Sequence, residues 1–270
     1  MSDAVTGHGT APVDRGVARR LDLRDALLLA LAFSAGLFEA ICFLSFGKVF
    51  TAFQTGNVVF LGLVGAGTRP PLGPEPVTVV VSLVAFAAGA ALAMPVLRAF
   101  DGEAEIGDDQ VVEVWSRRVS VVLALALAGQ VAFLLLWLAD RPSAPADASA
   151  AVLVALSAAA MGLQMNAVRR LHVPGVSTTA ATATYVGLVS GLASRSLQPR
   201  AAARLAAVLV CLVVGALVGD LLLDSARAWA PVPAVAATAL VVAVAWVSWP
   251  GRPPAPPGTR SPATSSGPSQ

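Results

Sequence analysis

The chain has 270 residues, of which 56% are hydrophobic and only 13% are charged, and its formal net charge is +2. A soluble domain normally carries charge on about a quarter of its residues, so this composition excludes an ordinary soluble fold. The small net charge, without a basic patch, also excludes a nucleic-acid partner. Because the apolar residues form continuous runs and do not alternate, we predict an all-α integral membrane protein and not a membrane β-barrel.

Composition divides the chain into three parts. Residues 1–23 are polar and are predicted to form a cytoplasmic N-terminal tail. Residues 250–270 are rich in Pro, Ser and Gly and are predicted to be disordered. Between them we predict a single membrane domain, residues 24–249, with two related halves at about 24–138 and 150–249.

Eight apolar segments follow one another in the membrane domain. They lie near 24–46, 51–67, 76–97, 117–138, 150–168, 178–194, 202–223 and 232–249. Six are long enough to cross a hydrocarbon core of about 30 Å. The second and the sixth are shorter, open with polar residues and are broken by glycines, so we expect them to re-enter or lie at the interface.

The positions of the basic residues distinguish two topologies. If all eight segments cross, seven of the 18 Lys and Arg residues fall outside. If the two short segments return to the side they came from, only four fall outside: Lys48, Arg69, Arg141 and Arg227. The second arrangement fits the positive-inside rule better. It predicts six crossings, with both termini in the cytoplasm of a bacterium and the protein in its plasma membrane.

A weak internal repeat relates the two halves. A shift of 127 residues aligns 39–61 with 166–188 without a gap. The aligned pairs include Thr51 with Thr178, Thr55 with Thr182 and, after a one-residue slip, Gly89 with Gly215. Three crossings in each half would make the second half enter from the opposite side, which predicts an inverted repeat as in many secondary transporters. Duplication also builds membrane proteins that transport nothing.

Glu39 is the most informative single residue, because it lies inside the first apolar run. A carboxylate there is costly unless it is protonated, paired or facing a wet cavity. The functional interpretation is a proton- or cation-coupled site. The structural interpretation is a buried acid that is hydrogen-bonded to a neighbouring helix, or one that is hydrated near the outer interface.

The polar residues that open the two short segments complete the predicted substrate- or ion-binding site. In the first half these are Thr51, Gln54, Thr55, Gly56 and Asn57. In the second half they are Gln164 and Asn166, near the position that the repeat aligns with Glu39, together with Thr178 and Thr182. Such residues can cap a helix that begins inside the membrane, where its N-terminus would favour an anionic group. The alternative is that they only satisfy a broken backbone.

No arrangement typical of an enzyme occurs in the sequence, and neither catalytic residues, a cofactor nor a metal site is predicted. The favoured function is a transporter or permease for a small solute or an ion. The alternative is a membrane scaffold or assembly factor that transports nothing. The expected partners are the lipid bilayer and an unidentified small solute or ion, and homo-oligomerisation is left open.

Two stretches resemble a known family, the bacterial YoaK family named for domain of unknown function 1275. They are AGLFEAICFLSFGKVFTAFQTGNVVFLGL and AMGLQMNAVRRLHVPGVSTTAATATYVGL. The resemblance covers roughly residues 24–249 and implies a polytopic inner-membrane protein of about six helices, with no established substrate. The family pattern usually has Asp where this chain has Glu39, Asn where it has Met165 and Gly where it has Ala183.

Overall fold

All regular structure in the described part of the chain is helical. The computed structural model describes residues 15–67, 74–98, 115–139, 147–171, 173, 176 and 181–250. The helices are α1 (Arg15–Ser45), α2 (Gln54–Gly65), α3 (Pro76–Arg98), α4 (Arg117–Ala139), α5 (Asp147–Arg169), α6 (Ala181–Ala193), α7 (Pro199–Ser225) and α8 (Val232–Ser248). A single 3-10 turn, Arg227–Trp229, precedes α8.

Six of these helices are long and apolar enough to cross a membrane, and they are α1, α3, α4, α5, α7 and α8 with its 3-10 turn. The other two, α2 and α6, have 12 and 13 residues. At 1.5 Å per residue they are about 18 and 20 Å long, which is too short for a core of about 30 Å. The prediction of an all-α membrane protein with six spans and two short helices is therefore confirmed.

Helix direction shows that α2 does not cross between α1 and α3. Ser157, in the middle of α5, donates a hydrogen bond to Thr51, which lies beside Glu39 of α1. Gln164, farther along α5, donates to the carbonyl oxygen of Leu31, in the middle of α1. The two helices are thus antiparallel. A crossing α2 would have made them parallel, because α5 would then be separated from α1 by one more reversal.

The closest helix crossings use glycines. α1 packs along α7, and α3 packs along α5. At each crossing glycine, an added Cβ would overlap a carbonyl oxygen of the facing helix: Gly36 at Leu212, Gly215 at Phe33, Gly89 at Ala159 and Gly162 at Phe86. Such close approach lets extended dispersion contact hold the helices together where the hydrophobic effect is absent. Gly219 of α7 faces Leu37 and Ala40 of α1, whereas Arg204 pairs with Asp25 nearer the start of both helices. The two helices therefore run parallel, which, with α2 not crossing, excludes a crossing α6.

The ends of the bundle are held by polar and aromatic contacts. At the end where α1 and α7 begin, Arg204 pairs with Asp25 at 3.2 Å. Trp115, just before α4, stacks on Trp249, just after α8, with ring centroids 5.4 Å apart. Arg117 lies over the ring of Trp246 at 4.1 Å. These contacts place the start of α4 beside the end of α8, as alternating crossings require.

Two sequence predictions extend beyond the described residues. α1 begins at Arg15, so its first turns precede the apolar run predicted from residue 24. Residues 1–14 and 251–270 lie outside the described residues, and the predicted tail boundaries stay predictions. The cytoplasmic location of the termini rests on the basic residues alone.

The glycine crossings predict a large effect of one methyl group. Gly215→Ala should lower the free energy of unfolding by about 1–3 kcal/mol, because the new Cβ must push the backbone of α1 away from α7. The measurement is unfolding by SDS titration in mixed micelles. Gly62→Ala is the matched control, since nothing lies within 4 Å of a Cβ at Gly62. Equal effects of the two substitutions would contradict the crossing geometry.

The topology predicts the side of the membrane from which a thiol reagent can reach four exposed positions. Each position is changed to cysteine in a protein whose two native cysteines have been replaced. An impermeant maleimide added to intact cells should label Lys48→Cys and Glu75→Cys, on either side of α2. It should label Arg169→Cys and Ser196→Cys, on either side of α6, only after permeabilisation. Opposite behaviour of the two positions that flank one short helix would mean that this helix crosses.

Candidate functional site

The chain reverses direction after α1 and returns into the bundle before α2 begins. Gly47 and Lys48 have positive φ values of 77° and 66°, which produce the reversal. The following residues are not helical, and α2 begins only at Gln54. Glu39 lies six residues before the end of α1, or about 9 Å along its axis. Its contacts with the residues just before α2 therefore place the start of α2 well inside the bundle.

The carboxylate of Glu39 accepts hydrogen bonds from three successive backbone N–H groups. Its oxygens lie 3.2 Å from the nitrogen of Thr51, 2.8 Å from that of Ala52 and 3.4 Å from that of Phe53. The hydroxyl of Thr51 donates a further bond of 3.1 Å. The side chain is 5% exposed, and no cationic side chain pairs with it among the described residues. Glu39 is thus hydrogen-bonded by its own chain without a counter-charge, at the positive end of the α2 dipole.

A second group of polar side chains forms hydrogen bonds with the backbone N–H and C=O groups of Phe50. The amide of Asn57 accepts from the Phe50 nitrogen at 3.1 Å and donates to the Phe50 oxygen at 2.6 Å. Ser82, from α3, donates to the same oxygen at 2.6 Å. Gln54 donates to Ser82 at 3.1 Å and to the Thr51 oxygen at 2.8 Å. The broken segment thereby satisfies its polar groups without water, as the interior of a membrane requires.

Thr51 joins this segment to the second half of the chain. Its hydroxyl donates to Glu39 and accepts a bond of 3.1 Å from Ser157 on α5. Sequence reasoning missed both serines of the site, Ser82 and Ser157. Each is a single hydroxyl in an apolar helix, a weak signal that other serines in the spanning helices share.

The other predicted residues of the first short segment have different surroundings. Gly56 lies against the ring of Phe50, where a Cβ would come within 2.7 Å. A larger residue at this position would collide with that ring. Thr55, one residue earlier, is exposed on the outer face of α2. Of the five residues named there, Thr51, Gln54 and Asn57 make the hydrogen-bonded cluster.

The predicted residues of the second half that the structure describes do not join that cluster. Gln164 is buried and donates to Leu31 of α1 at 3.3 Å. Asn166 donates to the Ala90 oxygen of α3 at 2.9 Å. Thr182 is exposed on α6, and Thr178 lies outside the described residues. The structure therefore places Gln164 and Asn166 as links from α5 to two neighbouring helices.

A cleft of about 810 Å³ lies beside Glu39, between α1, α6 and α7. Its most informative lining residues are Glu39, Phe43, Phe53, Ala181, Tyr185 and Asp220. Phe53 directly precedes α2, and Ala181 is the first residue of α6. The starting ends of both short helices thus border one cleft. Asp220 and Tyr185 were not predicted as site residues, since Asp220 lies near the end of its helix and no motif surrounds either one.

The hydrogen bonds of Glu39 predict that removing its charge destabilises the fold. Glu39→Gln keeps the size of the side chain but turns an NH2 group toward N–H donors, so the free energy of unfolding should fall by about 1–3 kcal/mol. Asp220→Asn makes the same chemical change on the other wall of the cleft, at an exposed position. It should leave the SDS unfolding midpoint unchanged. Equal midpoints for the two variants would mean that the hydrogen bonds to Glu39 contribute nothing to stability.

Residues 27–244 match the family described as "Protein of unknown function (DUF1275)". The chain is 31% identical over 173 residues to the UPF0700 transmembrane protein YoaK of Bacillus subtilis (strain 168), which covers 64% of this chain and 68% of that protein. No solved structure matches the chain.

Proposed function

We propose that this chain, which belongs to the DUF1275 family of multi-pass membrane proteins, is a permease that moves a small solute or an ion through the cleft beside Glu39. The observation that carries the proposal is that the starting ends of both short helices border this one cleft. Broken helices that meet inside the membrane form the substrate sites of many secondary transporters. We propose no catalytic activity for it.

An inverted repeat is part of this proposal. The crossing of α1 with α7 matches the crossing of α5 with α3 under a shift of 126 residues. The matched positions are Gly36 with Gly162, Leu212 with Phe86, Gly215 with Gly89 and Phe33 with Ala159. Since α1 and α5 run in opposite directions, the shift relates two units of inverted orientation. That agreement between contacts supports the repeat more strongly than the sequence identities do.

The contacts of Glu39 suggest how an ion could be coupled to movement. Its carboxylate holds three consecutive N–H groups ahead of α2. A proton or a cation that bound this carboxylate would compete with those donors and weaken the attachment of α2 to α1. The short helix would then be the element that responds to the ion, and the cleft that borders its start would change shape with it.

The second candidate function is a membrane scaffold or assembly factor. One observation favours it, because the hydrogen bonds from Thr51, Ala52 and Phe53 to Glu39 satisfy the backbone ahead of α2 and would do so equally well in a protein that transports nothing. The two candidates differ in whether the purified protein moves anything across a bilayer.

Flux through proteoliposomes tests the proposal. The full-length chain should support saturable flux of protons or of at least one solute from a panel of small metabolites and organic cations. Ala216→Phe should abolish most of this flux by filling the cleft that Ala216 lines. Val210→Phe adds the same ring at an exposed position of α7 outside the cleft lining and should retain it.

Glu39→Gln is compared in the same assay, corrected for the fraction of folded protein that its lower stability leaves. Absence of flux from wild type for every solute would favour the scaffold. Flux that is equal in wild type, Ala216→Phe and Glu39→Gln would place transport elsewhere than in this cleft.

A further inference from the structure

We propose that the ligand of the cleft is a small lipophilic cation, an ammonium or similar onium ion that carries an apolar body. This inference rests on the proposed function for its location, and it names the class of molecule that the site takes. Three properties of the lining carry it: the sign of its charges, the character of its remaining surface and the direction from which it opens.

Among the described residues, the acidic and basic side chains that line the cleft are both carboxyl groups. Glu39 and Asp220 line it, and no Lys, Arg or His is among the described residues that do so. The groups that contact the oxygens of Glu39 are hydrogen-bond donors, an arrangement that favours the ionised form of the carboxyl group. Asp220 lies five residues before the end of α7, where the helix dipole is also negative. A cation between these walls would offset charges that are costly in apolar surroundings.

The rest of the described lining is almost entirely apolar, and part of it is aromatic. The rings of Phe43, Phe53 and Tyr185 border the cleft. An onium group gains from the negative face of such rings, and an apolar body gains from burial against the aliphatic side chains. A small inorganic divalent cation is a poor fit, because Ca²⁺ and Mg²⁺ need about six oxygen ligands and the described side chains of the cleft offer two carboxyl groups and one hydroxyl.

The cleft opens toward the surface that faces lipid. Three of its lining residues are well exposed on the outside of the bundle: Leu44 at 53%, Val213 at 67% and Leu217 at 55%. In a membrane these side chains contact acyl chains. A ligand that partitions into the bilayer can therefore enter from the side, whereas a strongly hydrated ion would have to lose its water in the lipid first. The geometry thus selects an amphiphilic cation over a hydrophilic one.

Two probes of matched size and opposite charge test this inference. Tetraphenylphosphonium and tetraphenylborate are titrated into the purified full-length chain in nanodiscs of zwitterionic lipid, and heat is measured against empty nanodiscs. We expect saturable binding of the phosphonium and none of the borate. Asp220→Asn should weaken phosphonium binding about tenfold, because it removes one favourable charge–charge interaction. Asp224→Asn removes the same charge one turn away, outside the cleft lining, and should not change it.

Equal binding of both probes would overturn the inference, since the cleft would then take any apolar molecule, such as an acyl chain. No binding of either probe, as when a second copy of the chain covers the cleft, would overturn it too, as would equal losses in Asp220→Asn and Asp224→Asn. The proposed function fails separately. Phosphonium binding without flux in proteoliposomes would support the cation site and contradict the permease function. Cleft-dependent flux of a neutral or anionic solute would support the permease function and contradict the cation site.

Discussion

A chain segment that is not helical inside a membrane exposes backbone N–H groups that water cannot reach, and this structure depends on how those groups are satisfied. Glu39 of α1 accepts bonds from three of them, and Asn57 closes the backbone at Phe50. Both contacts bring the start of α2 into the bundle. Without these hydrogen bonds the start of α2 would not be held against α1, and the cleft would lose the wall that Phe53 forms.

The close helix crossings set the shape of the rest. Glycines let α1 approach α7 until backbone meets backbone, and α3 approach α5 in the same way. Because Gly36 and Gly215 bring α1 and α7 together along one line, the two helices leave a groove on the side where α6 lies. That groove is the cleft. Its negative charges, Glu39 and Asp220, come from the two helices of this crossing, so the packing that stabilises the bundle also assembles the candidate site.

Much of the architecture could be predicted, because length and apolarity are local properties of a segment. The segment predicted at 117–138 is α4 at Arg117–Ala139, and that predicted at 76–97 is α3 at Pro76–Arg98. Glu39 could be singled out for a similar reason, since an acid in an apolar run is costly wherever it folds. Ser82 and Ser157 could not, because a serine in a transmembrane helix is inexpensive and its role depends on which helix it faces.

The sequence by itself determined six crossing helices, two short ones and the basic end of the bundle, since each follows from side-chain transfer energies that add along the chain. Only the tertiary structure decided what Glu39 binds and which residues share its cleft. Hydrogen bonds form within a few tenths of an ångström of an optimal distance, and Asp220 reaches the cleft from another helix, 181 positions along the chain. Such coincidences in space leave no periodic or compositional trace in the residues that make them.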